Sequence, residues 1–163
     1  MSDFTSFESE SSAVMLSAFL TANPGALRAA GALRSGAEVA ITLTDVTGDR
    51  RIYLHETGGI GFEPVKAIDP DFELRIPPAA VRTICSRRDA DLGDLGIAFF
   101  EHIISRQPEN KIHIKVHSGL VKLTRRGWVN LLTQGGSKVV AWMARKGLRG
   151  PGAIAGALGR FRG

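Results

Sequence analysis

At 163 residues, with 44% hydrophobic and 23% charged side chains, the chain has the size and composition of one soluble globular domain with a core of its own. Its one cysteine, Cys85, excludes an intrachain disulfide and any cysteine-built zinc or iron–sulfur site, and fits a cytoplasmic setting. The opening MSDFTSFESESS is acidic and polar, unlike a secretory signal or a basic transit peptide, and no window approaches the roughly 18–20 apolar residues that span a bilayer.

The net charge of +5 is unevenly distributed. Met1 to Glu109 carries ten Lys/Arg against sixteen Asp/Glu, whereas Asn110 onward carries eleven Lys/Arg and no acid. Segregation of this kind points to an anionic partner, such as lipid, phosphate, nucleic acid or an acidic protein surface, or to a solvated basic face.

In chain order, Ser12–Ala22 reads as a helix stopped by Asn23-Pro24-Gly25, followed by a second short helical or irregular piece, ALRAAGALRSG. The period then changes to two. EVAITLTD sets Val39, Ile41 and Leu43 on one face, and RRIYLHET continues after a Thr47-Gly48-Asp49 turn, which predicts a hairpin. IGFEPVKA and DFELRIP are a third and a fourth strand. Pro77-Pro78 opens a helix whose buried stripe includes Val81, Ile84 and Cys85, with Cys85 read as a small core residue. Asp91 caps the next helix, which places Leu92, Leu95, Gly96, Phe99 and Ile103 along one side and ends at Pro108.

KIHIKVHS alternates Ile112, Ile114 and Val116 with Lys111, His113, Lys115 and His117. A helix from about Gly119 carries Leu120, Leu123, Trp128 and Leu131, and a last one, capped by Ser137, carries Val139, Val140 and Met143. The pattern predicts an α+β domain with a single antiparallel-rich sheet of about five strands and helices mainly on one face. The expected organisation is an N-terminal helical extension over 1–38, a domain over 39–150 and a flexible tail over 151–163.

Most candidate chemistry fails on spacing. His113 and His117 would share a helix face, but on a strand they lie about 13 Å apart and cannot hold one ion. No glycine pattern brackets a nucleophilic serine, and Asp89, Asp91 and Asp94 are accounted for by capping. Neither Gly58-Gly59-Ile60-Gly61 nor Gly135-Gly136-Ser137-Lys138 has a phosphate-loop or dinucleotide spacing, although the second could hold an anion at a helix start. Trp128 and Trp142 fall on or near apolar helix stripes rather than on a stacking platform, which argues against nucleic acid. The expectation is a chain with no catalytic residues, no metal and no cofactor.

The helices carry more bulky apolar side chains than the sheet obviously needs, so they require a second covering: a ligand, a membrane, or a partner such as a second copy in a homodimer. DFELRIPPAAVRTI, the helix pair after it and NKIHIKVHSGLVKL together resemble the sterol carrier protein 2 family of lipid-binding domains, over about Val39 to Met143. His117-Ser118 stands where that family usually has a glycine and then Asp or Asn.

The resemblance implies non-enzymatic binding or transfer of a hydrophobic ligand, whether a sterol, a fatty acyl chain or an isoprenoid quinone; one bacterial branch is an accessory in quinone synthesis. Ile76, Val81, Ile84, Phe99, Ile103, Val116, Leu120 and Leu123 are the cavity residues carried over on this basis. The helix pattern adds Trp128, Leu131, Val140 and Met143. Lys111, Lys115, Arg125 and Arg126 are the candidates to orient a head group or an anionic membrane peripherally. The alternative is a protein-interaction or assembly module with a solid core.

Overall fold

Asn23 shows how local chemistry sets the first corner of the chain. In the computed structural model, which describes residues 11–56 and 58–147, its backbone N–H donates to Phe19 at 2.9 Å and ends α1 (Ser12–Ala22). Its side-chain oxygen accepts from Ala26 N–H at 3.0 Å and starts α2 (Pro24–Ala32), with Pro24 in the first turn. Its amide nitrogen also donates to the carbonyls of Arg87 and Arg88, 64 and 65 residues away. One buried amide thus joins the two N-terminal helices to a distant loop. The first ten residues of the expected extension and the expected tail over 151–163 lie outside the described residues.

Five strands follow the predicted alternation: β1 (Glu38–Leu43), β2 (Arg50–Leu54), β3 (Ile60–Glu63), β4 (Phe72–Ile76) and β5 (His113–Val116). They form one mixed sheet in the order β3-β2-β1-β4-β5. β1–β2, β2–β3 and β4–β5 pair antiparallel, and β1–β4 pairs parallel. The parallel pair arises because residues 64–71 bring the chain back to start β4 beside the start of β1, with Val39 opposite Phe72. The buried Glu38 carboxylate pins this return, accepting from Ile68 N–H and Asp69 N–H at 2.7 Å each.

The helices α3 (Pro78–Cys85), α4 (Leu92–Ile103), α5 (Leu120–Arg125), α6 (Trp128–Gln134) and α7 (Gly136–Arg145) complete the described chain, with a 3-10 turn at Pro108–Asn110 before β5. Asp91 caps α4 as expected, accepting from Asp94 N–H at 2.8 Å. The expected α+β class, with about five strands and helices grouped mainly on one side, is the observed one. Val39, Ile41, Leu43, Leu74, Ile76 and Ile112 are buried on the covered face, where they form the main core with Leu16, Ala80, Val81 and Ile103. The register aligns Glu63, Arg51, Ala40, Glu73 and Lys115 in one row across all five strands. Its alternating charges suit a solvated face.

Two local expectations change. The single helix predicted from Gly119 is split into α5 and α6 by Gly127, whose φ of +90° belongs to the left-handed region. α7 begins at Gly136, with no side-chain cap from Ser137. Cys85 is half-buried; burial pushes its thiol up to about 11, so it stays protonated at neutral pH.

At Gly127 a side chain would meet both an unfavourable backbone conformation and the carbonyl oxygen of Ala32. Gly127→Ala is expected to lower unfolding free energy by at least about 1–2 kcal/mol, read as a reduced denaturation midpoint with an unchanged slope.

Candidate functional site

The apolar seam between α4 and α7 is the candidate site, and a buried polar anchor ties the sheet to the α5–α6 corner. That anchor is Asp71, which is fully buried just before β4. Its Oδ1 accepts from Ser118 Oγ at 2.5 Å and Arg126 Nη1 at 2.7 Å, and its Oδ2 from Trp128 Nε1 at 2.8 Å and the Glu38 N–H at 3.3 Å. Its backbone is paired as well: its N–H donates to Glu38 O at 2.8 Å, and its carbonyl accepts from His117 N–H at 2.9 Å. Asp71 therefore joins the starts of β1 and β4, the end of β5 and the α5–α6 junction. A buried carboxylate is tolerated only when its lone pairs are filled in this way.

Arg126 completes the anchor. Its second guanidinium nitrogen donates to Asp69 Oδ2 at 2.7 Å, and Lys122 donates to both oxygens of the same carboxylate at 2.9 and 2.8 Å. These hydrogen bonds from Lys122 and Arg126 hold the Asp69 carboxyl below its ordinary range. Burial works against the Arg126 charge, but Asp69 and Asp71 outweigh it and raise its pKa. The Trp128 indole, fixed by Asp71, packs edge-on against Phe72 with centroids 4.9 Å apart.

The helix layer contains a second apolar cluster, joined to the main core through Phe100. Val139, Trp142 and Met143 of α7 are buried against Ile97 and Phe100 of α4. The Phe100 and Trp142 rings are stacked, with centroids 5.9 Å apart and planes 26° apart. Lys138 clips the N-terminal end of α7 to α4, reaching Asp91 at 2.9 Å and Asp94 at 3.4 Å. The hydrogen bond from Lys138 is the chief cause of the lowered Asp91 pKa. Gly93 permits the close approach there, since a Cβ would stand 2.6 Å from the Gly135 carbonyl. At the other end of α7, Arg145 and Lys146 have no ion-pair partner among the described residues.

The structure distributes the twelve expected cavity residues over several environments. Ile76, Val81 and Ile103 are buried in the main core, with Ile84, Phe99 and Trp128 packed against it. Val116 and Leu123 are buried, and Met143 belongs to the α4–α7 seam. Leu131 is half-buried, while Leu120 and Val140 are 54% and 63% exposed. None of the twelve lines the surface groove beside α3 or the hollow between α2 and the β2–β3 turn. Of the four expected head-group cations, Arg126 is engaged internally, Lys111 lines a surface groove, and Lys115 and Arg125 are exposed.

The basic C-terminal third is thus partly consumed inside the fold, because Lys122, Arg126 and Lys138 all pair with acids from the first part of the chain. Sequence reasoning did not find Asp71 or Ser118. An aspartate before a strand reads as a turn residue, and only the tertiary meeting with Arg126 and Trp128 distinguishes it. His117 bonds Glu73 at 3.0 Å rather than a metal site, and the described residues contain no group of three His, Cys, Asp or Glu placed to hold a metal ion. No described helix is long and apolar enough to cross a membrane.

No family model matches the chain, and no curated protein matches it. Among solved structures it is similar to one described as a UbiJ-SCP2 ubiquinone synthesis protein, at 13% identity and a TM-score of 0.39, over 75% of this chain and 90% of that one.

Removing the Asp71 carboxylate leaves Arg126 and Trp128 without their buried acceptor. Asp71→Ala is expected to cost about 3–5 kcal/mol, whereas Asp69→Ala, at an exposed carboxylate, is expected to cost under about 1 kcal/mol. Urea denaturation of both variants checks the contrast.

Proposed function

We propose that the chain is a non-enzymatic carrier of a hydrophobic ligand, an elongated lipid of the acyl, sterol or isoprenoid quinone class, which it takes up between α4 and α7. The observation that carries this reading is a second apolar cluster, between α4 and α7, that shares Phe100 with the main core. α7 contributes little to the sheet's core; it covers an apolar strip of α4. It is clipped at one end by Lys138 and lacks an ion pair at the other among the described residues. Side chains of this size contribute about 1.5–3 kcal/mol each when buried, and a hydrocarbon chain in the seam replaces those contacts with equivalent ones. Swinging the C-terminal end of α7 away would admit the ligand without disturbing the Asp71 anchor. The α+β architecture and the sequence resemblance of 71–84 and 110–123 agree with this reading.

The second reading, an assembly module that binds a protein partner or a second copy, is favoured by a different observation. Ile68, Leu120 and Val121 are 83%, 54% and 79% exposed, and Lys122, beside Val121, reaches back to Asp69, beside Ile68. Apolar exposure at the start of α5 suits a protein surface better than a ligand seam.

Trp142 is a built-in reporter, because it lies in the seam while Trp128, the other tryptophan, is tied to Asp71. Titration with a brominated fatty acid is expected to quench tryptophan fluorescence saturably, and Trp142→Phe is expected to remove most of that quenching. Absence of saturable quenching, or equal quenching in the Trp142→Phe protein, would count against a ligand in the seam.

A further inference from the structure

We infer that the groove between the ends of β4 and β5 and the helix α3 is a binding site for a phosphate-bearing small molecule, separate from the α4–α7 seam. The register sets Arg75 of β4 directly opposite His113 of β5, on the sheet face away from the core. Lys111 lies two residues before His113, and Arg82 projects from α3; all four line one groove of about 790 Å³. That volume is far larger than a single inorganic anion needs and falls in the range of sites for small organic ligands.

Charge identifies the ligand class. Three permanent cations, Arg75, Arg82 and Lys111, and one acid, Glu109, line the groove. None of the four, nor His113, has an ion-pair partner among the described residues. Single unpaired cations occur elsewhere on the surface, as at Arg145 and Lys146, but in the groove three of them line one concave surface. Two guanidinium forks and an ammonium suit the several oxygens of a phosphate monoester or diphosphate, and the Thr44 hydroxyl adds a neutral donor at the rim.

The walls of the groove are stiff. Pro77, Pro78 and Pro108 all line it, each with a fixed φ. Thr44 N–H donates to Ile76 O at 3.2 Å and Ile112 N–H to His102 O at 3.1 Å, and the His102 ring bonds Asn110 O at 2.8 Å. The cations therefore stand on a framework that is already ordered, which lowers the entropic cost of binding.

The same phosphate chemistry could arrive on a soluble organic phosphate or on a phospholipid head group. Isothermal titration of the full chain with pyrophosphate, and sedimentation with vesicles of phosphatidic acid or of phosphatidylcholine alone, distinguish the two sources. The expected result is saturable pyrophosphate binding that weakens with added salt and falls about tenfold or more in Arg75→Gln/Arg82→Gln. Arg87→Gln, an exposed charge outside the groove, is expected to bind as the parent does. Vesicle binding that is selective for phosphatidic acid and lost in the double variant assigns the site to a head group. Vesicle binding that is absent or unchanged assigns it to a soluble phosphate.

Lys111→Gln provides the same reading if the double variant does not fold. No saturable pyrophosphate binding, or an equal loss in Arg87→Gln, would overturn the site. Because pyrophosphate has no hydrocarbon, this outcome is independent of fatty-acid quenching in the seam.

Discussion

The buried Asp71 carboxylate is the constraint on which the remaining architecture depends. It has no solvent to share its charge, so it must be surrounded by donors, and those donors come from four places in the chain: Glu38, Ser118, Arg126 and Trp128. Meeting that requirement sets where β4 starts relative to β1 and where β5 gives way to α5. It also fixes the orientation of the α5–α6 corner. Gly127 follows from the same constraint, because the corner must pass close under the Ala32 carbonyl while its neighbours Arg126 and Trp128 both reach Asp71.

This anchor divides the molecule into a part tied by buried polar bonds and a part, α7, held mainly by apolar contacts. The sheet, the main core and the α5–α6 corner are cross-linked by buried polar bonds that are expensive to break. α7 lies outside that network. Its contacts with α4 are apolar, apart from the Lys138 clip on an exposed surface, where ion pairs contribute little. A fold with a stiff base and a loosely clipped apolar cover can expose a hydrophobic surface without unfolding, as local openings require.

Much of this was legible in the residues, for identifiable reasons. The period-two runs at 39–43, 50–54 and 112–116 and the proline and asparagine stops placed the elements closely, and Asp91 read correctly as a cap. The parallel β1–β4 pair was not legible, since it depends on the return of residues 64–71 being pinned by Glu38, a contact between positions 30 and 31 residues apart. The uneven charge was visible, but its meaning was not. Lys122, Arg126 and Lys138 look like a basic surface in sequence and prove to be ties to Asp69, Asp71, Asp91 and Asp94. Among the cations left unpaired, Arg75, Arg82 and Lys111 come from three separate segments and become a cluster only in the folded chain.

The central claim, that the seam under α7 takes up a hydrophobic molecule, is tested most directly by native mass spectrometry of the full chain isolated without detergent or organic solvent. The account predicts a monomer carrying a non-covalent mass that solvent extraction removes and that incubation with oleate or a prenylated quinone restores. A bare polypeptide mass, as isolated and after both incubations, would contradict it, and a bare dimer would favour the assembly reading.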